Sequence, residues 1–517
     1  MAIVRVPVWF RGSIAAATTV AVVLSLSACN PYPGGGIVST VDAVDFNNPL
    51  VIPPLADSTI DANGNRVFNL TAQQGTSEFV AGRSTTTWGF NGNYLGPTLV
   101  AHEGENVVVT INNSLSESTT VHWHGMHLPA AMDGGPHQLI ASGESASPTW
   151  TIKQQAATLW YHPHLMGQTE HQTSMGLDGL FIIQDDAEAA LDLPRTYGVD
   201  DIPVVVSDVR FDAEGQFDNS VQGYIGTLGD ELLVNGTHAP YLDVSTDLVR
   251  LRLLNASTSR VYDFGFSDDR AFSMIASDGG LLEEPHETSA IQLSPGERAE
   301  IVVRMVAGES TVLRSSPPDL GMSTASSELN GGADSFDVLQ LRASATLTQE
   351  PLLPEILVPM TALAANDAAQ IRSMVLNDAM INNTAMDMDR IDLVAHLDTS
   401  EVWVVSNAMA LPHNFHVHDV QFQILDISRQ KPPPELAGWK DTIYVPPGAQ
   451  FRLIMRFTDY ADPRNPYMFH CHLLTHEDKG MMGQFVVIEP GDEALVGIAA
   501  GSTRGATAGM DSGMGML

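Results

Sequence analysis

Four short stretches of this 517-residue chain concentrate histidine. They are His122-Trp123-His124-Gly125, Trp160-Tyr161-His162-Pro163-His164, His413-Asn414-Phe415-His416-Val417-His418 and His470-Cys471-His472-Leu473-Leu474-Thr475-His476, with Met481 shortly beyond. Along an extended strand side chains alternate faces, so residues two apart point the same way. Each His-x-His pair can therefore present two imidazoles to one metal site. In His470-Cys471-His472 the histidines take one face and Cys471 the other, so a single strand can serve two sites at once. By the same alternation His416 and His418 share a face, while His413, just after Pro412, is free to join Cys471.

Imidazole with one thiolate and a weak axial thioether is the donor set of a blue-copper electron-transfer centre, and His413, Cys471, His476 and Met481 supply it. The remaining eight clustered histidines offer imidazole nitrogen alone, which suits a three-copper cluster. His102, His127, His137, His171, His238, His286 and His396 stand outside the clusters and read as surface or satisfied core residues.

The thiol count agrees. The chain has two cysteines, Cys29 and Cys471. Arg5 and Arg11 precede an apolar run over residues 14–26, too short for a comfortable membrane span. The run ends in Leu26-Ser27-Ala28-Cys29, which looks like a bacterial lipobox, cut before Cys29 with lipid added to its sulfur. The chain is then exported to the bacterial cell envelope and meets the membrane only through that anchor. Cys471 is left without a disulfide partner in an oxidising compartment, where a lone thiol needs a task. The net charge of -36, with lysine only at 153, 431, 440 and 479, excludes nucleic-acid partners. Adaptation to a salty habitat explains such a surface equally well.

Short runs rich in Val, Ile, Leu and Thr, such as residues 107–112, 249–254, 301–305, 401–406 and 451–457, alternate with Gly, Pro, Asn and Asp punctuation. This pattern predicts an all-β protein of sandwiches or barrels. The expected order is a signal peptide over 1–28, a flexible tether over 29–50, domains over 51–190 and 198–345, a linker over 346–370, a third domain over 371–490 and a disordered tail over 491–517. Met510, Met514 and Met516 lie in that tail.

The four clusters, in this order, resemble the multicopper oxidases, most closely the bacterial copper-tolerance oxidases and bacterial laccases. Further segments carry the likeness: Met132-Asp133-Gly134-Gly135-Pro136, Met175-Gly176-Leu177-Asp178-Gly179-Leu180, Met388-Asp389-Arg390-Ile391-Asp392, Ala437-Gly438-Trp439-Lys440-Asp441-Thr442 and residues 472–482. The resemblance implies three cupredoxin-like Greek-key β-sandwich domains in a monomer, with four coppers. Type 1 copper would take His413, Cys471 and His476 with Met481 axial. Type 2 would take His122 and His416, and the type 3 pair His124, His162, His164, His418, His470 and His472.

The activity so implied is one-electron oxidation of a reductant at the blue site coupled to four-electron reduction of O2 to water. Four protons are consumed, and Asp133 and Glu477 match the family's proton-delivering acids. The reductant would be copper(I), in copper tolerance, or a phenol or aromatic amine. The methionine-rich insert of the copper-tolerance members is mostly missing here, leaving Met380, Met386 and Met388 as candidates for a copper(I) site. A laccase with no metal-oxidase role, or copper sequestration without turnover, are the alternatives.

Overall fold

The computed structural model describes residues 36–220 and 223–495. The leader, Cys29 and the tail methionines lie outside the described residues. What is described is three β-sandwiches along one chain, each built from two sheets. Strands with one wet face alternate strictly: Asn106–Asn113 buries Val107, Val109 and Ile111 and turns the residues between them outward. Strands that meet a second sandwich are buried on both faces, as in Leu248–Asn255 and His413–Val417. Among the described residues no helix is long and apolar enough to cross a membrane.

In the first sandwich, Leu99–His102, Gly179–Gln184, Ala157–His162 and His122–His124 form one sheet, in that order. It faces a sheet built on Arg66–Val80 and Asn106–Asn113. The third repeats the plan: Leu393–His396, Met482–Ile488, Tyr467–His470, His413–Val417 and Thr442–Val445 lie side by side. Leu99–His102 pairs with Gly179–Gln184 and Leu393–His396 with Met482–Ile488, strands far apart in sequence, the crossing connectivity of Greek keys. The histidine-bearing strands thus come from the first and third sandwiches, two from each.

The middle sandwich has a six-stranded and a seven-stranded sheet and a large core including Leu251, Phe264, Ile301 and Leu341. Part of the expected tether belongs to it. Asn48–Pro49 pairs in parallel with Pro240–Thr246, Ser39 bridges Ser335, and the Val38 amide donates to Asp334. Residues 36–50 therefore run along this sandwich, with the Val38, Thr40, Asp42 and Leu50 amides donating to it, instead of forming a free leash. The strand Ala368–Asn377 likewise begins inside the expected linker.

Candidate metal centre

Strand register brings the motif histidines together. His162 lies opposite His122 on adjacent strands, and His416 lies opposite His470, so paired imidazoles emerge on one face. Four groups of His or Cys donors converge, each with ligand atoms within 4.8 Å of one another: His122, His124 and His162; His122, His416 and His418; His164, His418 and His470; and His413, Cys471 and His476. Nε2 of His470 is 3.2 Å from Nε2 of both His164 and His418, and Nδ1 of His124 is 3.4 Å from Nε2 of His162. His472 joins by ring contact, 4.9 Å from His124 and 5.2 Å from His162 between centroids.

The outward nitrogens show which atoms are left for a cation. Nδ1–H of His122 donates to the Asp133 carbonyl at 3.0 Å, that of His416 to the Asp441 carbonyl at 2.9 Å, and that of His162 to the Pro163 carbonyl at 2.8 Å. His418 donates through Nδ1 to the Asp133 carboxylate at 2.8 Å. His124 is turned the other way, its Nε2 donating to Asp441 at 3.0 Å and leaving Nδ1 inward. With the proton held on the outer nitrogen, the inner one presents a lone pair. The inner Nε2 atoms of His122 and His416 and both nitrogens of His472 are buried without a hydrogen-bond partner. Orphaned lone pairs converging in a dry site are costly unless a cation satisfies them.

Burial also keeps these rings neutral. It lowers His164 and His470 to about 3 and His416 to about 4, and together with neighbouring imidazoles it holds His124, His162, His418 and His472 well below the usual range. Neutral imidazole is the metal-binding form.

The second site lies wholly within the third sandwich. Cys471 Sγ is 3.8 Å from His413 Nδ1 and 3.6 Å from His476 Nδ1, and those nitrogens are 3.2 Å apart. Burial pushes the thiol up to about 12, so a thiolate here requires a metal's positive charge. Met481 is fully buried in the same apolar cluster, and its carbonyl accepts from the Cys471 amide at 3.1 Å. The outer Nε2 of His476 donates to the carbonyl of Tyr224, on a segment of the middle sandwich. A site of buried neutral imidazoles and one thiol fits copper by donor chemistry, and the all-imidazole site fits several such ions.

Both acids are buried beside the cluster. Asp133 touches His418 and, at 3.4 Å, His122, while Glu477 lies 3.1 Å from His470 Nδ1 and 3.4 Å from His164 Nδ1. Burial raises the Glu477 carboxyl. Gly134 (φ 78°) makes the turn after Asp133, where an added Cβ would lie 1.7 Å from the Val121 carbonyl oxygen. The methionines are more scattered. The Met386 amide donates to the Gly480 carbonyl and the Met388 carbonyl accepts from Gln484, whereas Met380 lies on the edge strand Met380–Ile381. All three are half-buried.

Two residues at the site were not singled out from sequence. Asp441 accepts from His124 and is gripped on both oxygens by Arg298 at 2.7 Å. Against burial, Arg298 and His124 hold its carboxyl well below the usual range. Asp441 sat inside a segment quoted for resemblance, and only its neighbours in space reveal its task.

Paired cupredoxin-like sandwiches with a thiolate–imidazole site beside an all-imidazole cluster define a copper oxidoreductase. Residues 71–188 and 357–491 each match a family model described as multicopper oxidase. A relative from Staphylococcus haemolyticus, "Multicopper oxidase mco", is 34% identical over 446 residues, 85% of this chain and 92% of its own. "Cell division protein FtsP" of Salmonella typhimurium is 35% identical over 460 residues, 88% and 95% of the two chains. The solved structure of a laccase from Pediococcus acidilactici superposes with a TM-score of 0.79 at 33% identity, covering 89% of this chain and 99% of that one. The chain belongs to the multicopper oxidase family and is an enzyme of that class.

Proposed function

We propose that this chain couples four one-electron oxidations of a reductant to the reduction of O2 to water, using four coppers. The observation that carries the reading is the convergence of eight buried imidazoles next to a buried thiol with two imidazoles. In this reading His413, Cys471 and His476 hold type 1 copper with Met481 axial. His122 and His416 hold type 2, and His124, His162, His164, His418, His470 and His472 hold the type 3 pair. Bound there, copper supplies one-electron transfer at the thiolate site and multi-electron reduction of O2 at the imidazole cluster.

The protein's own part is geometric and protonic. Cys471 is covalently flanked by His470 and His472, so one strand joins the two sites by the shortest covalent route. Asp133 and Glu477 stand against the outer nitrogens of cluster histidines, where each can take a proton from solvent and release it inward. Asp441 and Arg298 fix the tautomer and orientation of His124 and His416.

The reductant is copper(I), in a copper-tolerance role with Met380, Met386 and Met388 near its path, or a phenol or aromatic amine. The protein acts in the bacterial envelope as a monomer anchored through Cys29, with a first domain over 51–190, a second over 198–348 joined by residues 36–50, and a third over 368–490. A cell-division role, suggested by the FtsP likeness, would leave the converging imidazole and thiol donors without a task. Oxygen uptake by copper-replete protein tests the reading, with copper(I) and with dimethoxyphenol as alternative reductants. Full copper occupancy with a blue band and no uptake on either would overturn it. Replacing Met380, Met386 and Met388 should then lower turnover of copper(I) only.

A further inference from the structure

His127, one of the lone histidines of the sequence, lies between the two halves of the cluster. It follows His124 by three residues, beyond a turn at Gly125 (φ 84°). Gln154 braces that turn from both sides, accepting from the His127 amide at 2.6 Å and donating to the Gly125 carbonyl at 2.8 Å. The ring then reaches into the third sandwich: Nδ1 is 2.8 Å from the Asp419 carboxylate and Nε2 is 3.1 Å from that of Asp459.

Asp419 is the residue directly after His418. It is 4% exposed, and its φ of 68° is one that non-glycine residues seldom adopt. Such a conformation persists where the surroundings over-determine it, often at a functional site. A carboxylate placed there is aimed across the domain boundary. Asp459 is also paired with Lys153 of the first sandwich at 2.6 Å, the Tyr460 ring lies 4.9 Å from that of His127, and the Tyr467 hydroxyl donates to the Leu128 carbonyl. His127 thus has a carboxylate facing each ring nitrogen. Against burial, these two acids raise it to about 9.

We propose that His127 is a positioning residue for the interdomain cluster: bridging Asp419 and Asp459, it fixes the strand of His122 and His124 relative to the strand of His416 and His418. The inference rests on the copper reading of those histidines. The thiolate site needs no such bridge, because all its donors come from the third sandwich.

The test uses full-length, copper-loaded His127→Gln, Asp419→Asn and the double variant, with Lys153→Met as a control that leaves the His127–Asp419 contact in place. Copper per chain, affinity under a competing chelator and blue absorbance are measured, together with the thermal midpoint of copper-free protein. Expected is a blue absorbance equal to wild type, with cluster copper held about 10- to 100-fold more weakly in either single variant. The double variant should be no worse than the singles, and Lys153→Met should retain full copper. Wild-type cluster affinity in His127→Gln would overturn the proposal. Parallel loss of blue absorbance would also overturn it, by showing general unfolding. Wild-type protein that binds only the blue copper would instead remove the underlying cluster assignment, and the proposal with it.

Discussion

Replacing Arg298 by lysine should loosen the point where all three sandwiches meet, although the charge is conserved. The guanidinium has five N–H donors, and each has an acceptor. Nε–H donates to the Thr158 carbonyl of the first sandwich, and two others reach the Gly296 and Asp278 carbonyls of the second. The remaining two grip the Asp441 carboxylate of the third at 2.7 Å each. Lysine has three donors on a single atom and cannot reproduce a planar fork. At least two buried acceptors are then left unmet, at about 1–3 kcal/mol each, so Arg298→Lys should cost about 2–6 kcal/mol. Arg298→Met should cost at least as much, since it leaves a buried carboxylate uncompensated. The assay compares thermal midpoints of copper-free wild type and variants at one scan rate, where a loss of this size lowers the midpoint by several degrees. The same variants should hold cluster copper more weakly, because Asp441 orients His124 and His416. An Arg298→Lys protein with wild-type midpoint and copper affinity would refute the reasoning.

Raising pH should weaken the junction through His127. Its rise from 6.5 to about 9 corresponds to about 3 kcal/mol of stabilisation, fully present below pH 6.5 and lost as pH climbs through 9. The midpoint gap between wild type and His127→Gln should therefore shrink between pH 6.5 and 9.5, and a constant gap would contradict the ion-pair account. Cys471→Ser should abolish blue absorbance and turnover while leaving circular dichroism unchanged; any remaining turnover would point to another electron route. Asp133→Asn and Glu477→Gln should each lower oxygen uptake about 100-fold or more with blue absorbance intact, as expected for lost proton delivery. Unchanged uptake in either would reduce that acid to an orienting role.

The grouping of the histidines was legible in the sequence because strand alternation turns spacing into geometry. His122 and His124, or His470 and His472, share a face whatever the rest of the chain does. The β class was legible for the same reason, through alternating runs such as Asn106–Asn113. What was not legible depends on residues far apart in the chain. Arg298 meets Asp441 across 143 positions, and His124 meets it across 317. His127 looked bland because its meaning lies in Asp419 and Asp459, which only the docking of two sandwiches brings near. Over its described part the tether expectation fails similarly: residues 36–50 are punctuated like a linker, yet they bond to Pro240–Tyr241 and to residues 334–337, some two hundred to three hundred positions later.

The division of the cluster between the first and third sandwiches also sets an order in time. A chain is made from its N-terminus, so His122, His124, His162 and His164 exist while some three hundred and fifty residues are still to be added. Until His416, His418, His470 and His472 emerge, the early imidazoles form an open half-site with no second wall. A chain broken off before residue 470 would lack Cys471 and His476 of the proposed type 1 site and His470 and His472 of the proposed type 3 pair. A complete set of the proposed ligands therefore requires that synthesis has passed residue 481 and that the first and third sandwiches have found each other.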